Sequence, residues 1–146
     1  MQVKVNIKKI CEDAILPSYG SEFAAGADLY SVSDTFEISA GETVLVHTGI
    51  AIELPLGCVG LIYARSGLAC KRGLAPANKV GVVDADYRGE VMVALHNHSD
   101  AVQRISAGER IAQLVVAPFL KAEFEESESL SDTVRGEGGF GSTGRK

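Results

Sequence analysis

The 146-residue chain has no tryptophan, four prolines and three cysteines, and it contains no long uninterrupted apolar run. Three cysteines without a CxxC spacing favour neither a disulfide framework nor a zinc cluster, and free thiols are typical of a reducing cytosol. No segment approaches the roughly 18 consecutive apolar residues of a membrane span. The N-terminus is charged and alternating, unlike a signal peptide. We therefore expect a cytoplasmic protein that does not bind a membrane.

A surplus of positive charge is also missing, because the formal net charge is -5. Binding to a nucleic-acid polymer needs many lysines and arginines to neutralise phosphates, so no such partner is expected. The charge is uneven, however. Residues 121–137 hold six acids and two bases, whereas residues 65–88 hold five bases and two acids. The second segment could bind a small anion even on an acidic protein.

Long amphipathic helices are absent from the pattern, and period-2 alternation dominates. Val3, Val5 and Ile7 alternate with polar residues in the first segment. Similar β-rich runs occur at 44–53, 58–64, 91–96 and 110–119, separated by glycine, proline and asparagine turn signals. One short helix is predicted at 67–72. This arrangement predicts an all-β domain, an antiparallel sandwich, jelly roll or barrel.

Hydrophobic residues make up 46% of the chain and charged residues 23%, as in an ordinary globular domain. We expect this domain to span residues 1–122. From residue 123 the chain is acidic and polar and then becomes glycine-rich, with five of the sixteen glycines in residues 135–144. This stretch could be a frayed tail. It could also be a flexible arm whose glycine amides and hydroxyl groups close on a phosphate.

Two interior segments carry chemistry-bearing side chains. GVVDADYRGEV (81–91) is predicted to be a β-hairpin with an acidic tip, in which Asp84 orients or deprotonates a water and Tyr87 packs on a sugar or base. An ordinary polar turn is the alternative. Arg65-Ser66-Gly67 follows an apolar strand and offers a charge, a hydroxyl and an unhindered amide to a phosphate. By itself the triplet is a weak signal, and a surface turn is the commoner role of such residues.

Five segments, taken in order, resemble the motifs of the homotrimeric dUTPases (deoxyuridine triphosphate nucleotidohydrolases): AGADLYS (25–31), ARSGLA (64–69), GVVDADYRGEV (81–91), GERIAQLVV (108–116) and RGEGGFGSTG (135–144). The resemblance covers nearly the whole chain. It implies an antiparallel β jelly roll with a short helix only and a flexible C-terminal arm, forming a homotrimer with active sites at subunit interfaces. It also implies Mg²⁺-dependent hydrolysis of dUTP to dUMP and pyrophosphate by water attack on the α-phosphorus.

Carried onto this sequence, the resemblance implies that Asp84 positions and activates the water. Tyr87 would stack under the deoxyribose and leave no room for a 2′-hydroxyl. Asp28 would act indirectly on magnesium, through water, with the ion held mainly by substrate phosphates. The groups expected to hold uracil are Asn78, Gly81, Val82, Val83 and Met92. Those expected to hold the phosphates are Arg65, Ser66, Gly67 and Gln113. In the arm, Phe140 would cover uracil, and the γ-phosphate would be closed in by Arg135, Gly141, Ser142 and Thr143.

Two alternatives remain. A dCTP deaminase shares the fold and the phosphate motifs, but it needs a glutamate on the strand after the acidic hairpin, where the matching residue looks like Ala94. A non-catalytic protein could use the same fold to bind a nucleotide or a regulatory partner. The segment after ARSGLA departs from the family pattern, since many relatives have a histidine near Arg72.

Overall fold

The computed structural model describes residues 2–140, and strands supply nearly all of its regular structure. The sequence predictions for Gly141, Ser142 and Thr143 lie outside the described residues. The strands are β1 (Asn6–Lys9), β2 (Ser18–Tyr19), β3 (Ala27–Tyr30), β4 (Phe36–Ile38), β5 (Thr43–Glu53), β6 (Cys58–Tyr63), β7 (Leu74–Pro76), β8 (Gly81–Val83), β9 (Glu90–Asn97), β10 (Gln103–Ile105) and β11 (Arg110–Pro118). One short helix, α1, spans Ser66–Arg72.

The strands form three antiparallel sheets within the described residues. The four-stranded sheet has the order β1-β5-β9-β7, and the five-stranded sheet has the order β2-β3-β11-β6-β8. Strands β4 and β10 pair separately. The predicted all-β jelly roll with a single short helix is confirmed, and α1 begins one residue before the predicted start.

Alternation along the strands builds the core between the sheets. In β9, Val91, Val93 and Leu95 are at most 2% exposed, whereas the residues between them are half-buried. Apolar side chains on one face of each pleat therefore meet those of the facing sheet. Strand β1 differs, because all four of its residues are exposed, including Ile7 at 37%. It therefore lies at the surface of this chain.

The predicted hairpin over residues 81–91 is wrong in its pairing. Both strands exist, but β8 pairs with β6 and β9 pairs with β5 and β7. The connection from Asp84 to Gly89 therefore passes from one sheet to the other. Alternation identifies a strand but does not identify its partner, and this loop is too long for the two-residue turns that close tight hairpins. The consequence is a gap between the sheets beneath the loop.

Residues 119–140 contain no helix or strand, and residues 119–137 are exposed. The division at residue 123 remains a prediction. Across residues 2–140, no helix has the length and apolar character needed to cross a membrane.

Arg72 fastens the end of α1 to the rest of the fold. Its Nε donates to Oε1 of Gln103 over 3.2 Å, and its other guanidinium nitrogens donate to the Glu109 carboxylate and to the carbonyl of Arg104. The helix then ends at Gly73, whose φ of 66° is left-handed. One planar guanidinium thus joins α1 to β10 and to the turn before β11.

Replacing Arg72 with methionine is expected to lower the free energy of unfolding by about 1.5–3 kcal/mol, the usual contribution of hydrogen bonds to a charged group. Urea unfolding at one fixed protein concentration measures the change. Lys71→Met is the matched control, because Lys71 is exposed in the same turn of α1. Equal unfolding free energies for the two variants would contradict this account of Arg72.

Candidate active site

A cavity of about 280 Å³ lies in the gap between the two large sheets, beneath the loop that joins β8 to β9. The structure brings together here most of the residues predicted to contact the base, sugar and attacking water: Asn78, Gly81, Val82, Val83, Asp84, Tyr87 and Met92. The remaining walls come from β5, β6 and β9 and include Leu45, Glu90 and Ala94. We call this space the loop cavity.

Strand β8 offers an unpaired backbone edge to the loop cavity. It is the outer strand of the five-stranded sheet and pairs only with β6 among the described strands. Its other edge therefore carries free amide and carbonyl groups that can bond a planar ligand. At the start of β8, a Cβ on Gly81 would lie 3.2 Å from Nδ2 of Asn78 and from Cβ of Ile62. Any larger residue there would require the Asn78 amide or Ile62 to shift by a few tenths of an ångström.

Tyr87 is held in a defined position on the loop. Its hydroxyl donates to the carbonyl of Glu90 over 3.0 Å, and its backbone amide donates to the carbonyl of Asp84 over 3.2 Å. A Cβ on Gly89 would overlap the tyrosine ring and hydroxyl. The ring therefore lies over Gly89, and it is 43% exposed at the wall of the cavity. This arrangement provides a flat apolar platform for a sugar or base.

Asp84 lies at the first position of the loop, directly after the buried Val83. The residue is exposed and lines the loop cavity. A carboxylate in this position can accept a proton from a water molecule that approaches a bound ligand.

A second cavity, of about 220 Å³, lies where β3, β6, β11 and α1 meet. Outside the C-terminal arm, it collects the residues predicted to bind phosphates together with the predicted indirect metal residue: Asp28, Arg65, Ser66, Gly67 and Gln113. Arg110, which the sequence reasoning missed, completes it. We call this space the arginine cavity.

The carboxylate of Asp28 organises the two arginines. Arg65 Nε donates to its Oδ1 over 2.7 Å, and Arg110 Nη1 donates to its Oδ2 over 3.2 Å. Asp28 is 8% exposed, so this carboxylate is buried and both its oxygens have partners. Two guanidinium groups against one carboxylate leave a net positive site, which suits a phosphate chain.

Gln113 is fixed in a similar way. Its Nε2 donates to the carbonyl of Ala64 over 2.9 Å, just before Arg65. A Cβ on Gly26 would overlap Oε1 of Gln113, so glycine makes room for that amide. Gly26 in AGADLYS and Gly89 in DYRGE are thus positions where another side chain comes close to the backbone. Both glycines were visible in the sequence, but the predictions from sequence made no use of them.

The two cavities share no lining residue. Arg135 and Phe140 line neither of them; Arg135 Nε instead donates to the carbonyl of Gly138 over 2.7 Å. Within residues 2–140 of one chain, the predicted base-binding residues and the predicted phosphate-binding residues therefore line different cavities.

Magnesium would need oxygen ligands at this site. Among residues 2–140, no group of three or more acidic, histidine or cysteine side chains could hold a metal ion. Mg²⁺ prefers oxygen ligands and commonly binds through substrate phosphates with few protein ligands. Both carboxylate oxygens of Asp28 already accept hydrogen bonds from arginines, so this residue fits an indirect role toward an ion that a phosphate chain would carry.

Comparison with known proteins gives a consistent result. The dUTPase family model matches residues 12–144. The chain is 52% identical over 144 residues to the deoxyuridine 5'-triphosphate nucleotidohydrolase of Hydrogenobaculum sp., covering 99% of this chain and 100% of that protein. It is 48% identical over 144 residues to the protein of the same name from Crocosphaera subtropica, covering 99% of each.

Solved structures agree. A mutant dUTPase of Staphylococcus bacteriophage 80alpha with dUpNHpp superposes with a TM-score of 0.89 at 29% identity, covering 98% of this chain and 99% of that one. A mutant dUTPase from phage phi11, whose structure describes a structural Mg(II) ion, superposes with a TM-score of 0.81 at 24% identity, covering 89% of this chain and 100% of that one.

Proposed function

The chain belongs to the dUTPase family, and we propose that it hydrolyses dUTP to dUMP and pyrophosphate by attack of water on the α-phosphorus. The observation that carries this proposal is the loop cavity, where one space is lined by Asp84, Tyr87 and the edge strand β8. A flat platform and an unpaired backbone edge suit the binding of a nucleoside, and a general base beside them suits the activation of a water.

The nucleoside end of the substrate occupies the loop cavity. The free edge of β8 and the Asn78 amide form base-pair-like hydrogen bonds with uracil, with Met92 nearby. The tightness of the backbone from Gly81 to Asp84 leaves no room for the methyl group of thymine. The deoxyribose packs on Tyr87, where a 2′-hydroxyl has no room. Asp84 then orients one water and takes its proton as that water attacks.

The triphosphate is held by an arginine cavity. Arg65 and Gln113 donate to phosphate oxygens together with the hydroxyl of Ser66 and the amide of Gly67, while Asp28 keeps Arg65 in its orientation. When bound, Mg²⁺ neutralises the phosphate chain and orients the α-phosphorus for attack. Asp28 contributes to the ion only indirectly, through the arginines that it holds and through water.

A homotrimer resolves the separation of the two cavities. We propose that the loop cavity of one protomer faces the arginine cavity of another, so that each active site forms at an interface. The C-terminal arm then closes over the site. Phe140 covers uracil, and Arg135 binds the γ-phosphate together with Gly141, Ser142 and Thr143. The sequestered site excludes bulk water before the chosen water attacks.

A deaminase of the same fold is not favoured. Its essential glutamate would correspond to Ala94, which lines the loop cavity with a methyl group only. Glu90 is the carboxylate that does line that wall, and its oxygens already accept from His47 and from the amide of Gly49. A non-catalytic role is less well supported, because the exposed Asp84 carboxylate would have no function in it.

We place the reaction in the cytoplasm, where removing dUTP limits uracil incorporation into DNA and supplies dUMP for thymidylate synthesis. All three cysteines are free in the structure, which supports a reducing compartment.

The function is tested by giving the purified protein dUTP, dCTP, dTTP and UTP separately with Mg²⁺, and by measuring pyrophosphate and ammonia. Pyrophosphate is expected from dUTP alone. Ammonia from dCTP would identify a deaminase, and the absence of any product would contradict enzymatic function.

A further inference from the structure

Strand β5 carries a bulge directly opposite the start of β9. Its register with β9 shifts between His47 and Ala51, and Gly49 within the bulge has a left-handed φ of 67°. A bulge leaves backbone groups without ladder partners. The amide of Gly49 is one such group, and it donates to Oε1 of Glu90 over 2.8 Å.

The second oxygen of the same carboxylate is also engaged. Nδ1 of His47 lies 2.9 Å from Oε2 of Glu90. Because an ionised carboxylate only accepts, Nδ1 carries the proton of that hydrogen bond. Desolvation acts to raise the pKa of Glu90, but the hydrogen bonds from His47 and Gly49 outweigh it, and the pKa lies below its ordinary value. Glu90 is therefore an anion with two fixed donors.

The backbone of Glu90 has a different partner, and it connects the bulge to the loop cavity. Its carbonyl accepts the Tyr87 hydroxyl over 3.0 Å. The Glu90 side chain is 20% exposed and lines the same cavity as Tyr87. One residue thus joins β5 through its side chain and the tyrosine platform through its main chain.

We infer that Glu90 is a positioning residue. Through His47 and the Gly49 amide, its side chain fixes the point where the loop joins β9. This in turn sets the position of the Tyr87 ring, which discriminates deoxyribose from ribose. This inference rests on the proposed function, because it assigns the sugar to the Tyr87 platform. It assigns to His47 and Gly49 on β5, which do not line the loop cavity, an indirect role in sugar selectivity.

The physical reason is that few contacts other than the Glu90 carbonyl restrain the position of the Tyr87 ring. Tyr87 is 43% exposed, so packing restrains it little, and its hydroxyl hydrogen bond is only as rigid as the Glu90 carbonyl. If the Glu90 side chain is removed, the Gly49 amide and His47 lose their acceptor and the start of β9 is free to move. A shift of the ring would admit the additional hydroxyl of ribose, so selectivity is expected to fall more than affinity.

The test compares binding of two non-hydrolysable analogues, dUpNHpp and its ribose counterpart UpNHpp, by calorimetry. Glu90→Ala is expected to reduce the ratio of the two association constants by roughly 3- to 10-fold, the range set by one hydrogen bond. Glu90→Gln retains an acceptor for Gly49 and is expected to recover most of that ratio. His47→Ala, which leaves the Gly49 bond in place, is expected to cause an intermediate loss.

The matched control is Glu42→Ala. Glu42 also satisfies a backbone amide, that of Ser39 over 2.8 Å, but it lies just before β5 and outside the loop cavity. Its analogue ratio is expected to stay unchanged. An unchanged ratio in folded Glu90→Ala, or equal losses in the Glu42 and Glu90 variants, would overturn the inference. Should Glu90→Ala not fold, the His47→Ala ratio decides the question, and an unchanged ratio in that folded variant would overturn the inference.

Pyrophosphate release by the unsubstituted protein is measured in parallel. If that protein binds the analogues with deoxyribose selectivity but releases no pyrophosphate, the proposed function fails and the inference about Glu90 is still decided by the binding ratios. Lack of deoxyribose selectivity in the unsubstituted protein would overturn the inference directly.

Discussion

Asp84→Asn is expected to lower kcat for dUTP by about 10²–10⁴-fold, the usual contribution of a positioned general base. Asparagine has nearly the same shape as aspartate, but its amide cannot take a proton from water. Asp84 is exposed, so the substitution is expected to leave the fold intact. The dissociation constant of dUpNHpp is expected to change little, because the variant retains the loop, the Tyr87 platform and the arginine cavity.

The matched control for this experiment is Asp86→Asn. Asp86 lies on the same loop and is also exposed, but it does not line the loop cavity. Its turnover is expected to stay near that of the unsubstituted protein. If Asp84→Asn loses analogue binding as well as turnover, Asp84 organises the site and another group activates the water. Equal losses of turnover in both variants would attribute the effect to loop charge.

The sequence was sufficient to predict the fold class and most of the lining of both cavities. Alternation identified the strands, because a half-buried sheet imposes a period of two. It could not identify strand partners, so β8 and β9 were predicted to form a hairpin although they lie in different sheets. The error matters for function, since the gap between those sheets is the loop cavity.

The residues that sequence reasoning missed act through geometry across long sequence separations. Arg110 was visible in the GERIAQLVV segment, but its pairing with Asp28 depends on the register of β3 and β11. Glu90 was visible next to Gly89, but its partners His47 and Gly49 lie on β5. An isolated glycine within a strand pattern indicates a bulge, yet it does not indicate which side chain the freed amide contacts. The sequence pattern identifies candidate side chains, whereas the pairing and register of the strands decide which of these side chains come into contact.

The separation of the two cavities supports a test of the interface itself. Arg65→Gln removes one guanidinium from the arginine cavity, while Arg110 still pairs with Asp28. This variant is expected to lose on the order of 10²–10³-fold in kcat/KM for dUTP, as when one donor to a developing charge is removed. Lys71→Gln, on the exposed side of α1 and outside both cavities, is expected to keep its activity.

Mixing the two inactive variants is expected to restore activity. If each site combines the loop cavity of one protomer with the arginine cavity of another, equal amounts of Asp84→Asn and Arg65→Gln, refolded together, give about a quarter of the sites with both residues intact. The dUTP turnover of the mixture is then about a quarter of that of the unsubstituted protein. Either variant refolded alone stays inactive, since none of its sites contains both residues.

A second mixture distinguishes active sites at subunit interfaces from active sites within one chain. The Asp84→Asn, Arg65→Gln double variant is refolded with the unsubstituted protein. Interfacial sites again leave about a quarter of the sites intact, whereas sites formed within one chain leave about half. Sites within one chain also predict no recovery when the two single variants are mixed. The pair of mixtures thus distinguishes the two arrangements by activity alone. A light-scattering mass of three chains is the expected accompanying result, because the proposed homotrimer places one loop cavity against one arginine cavity at each of its three interfaces.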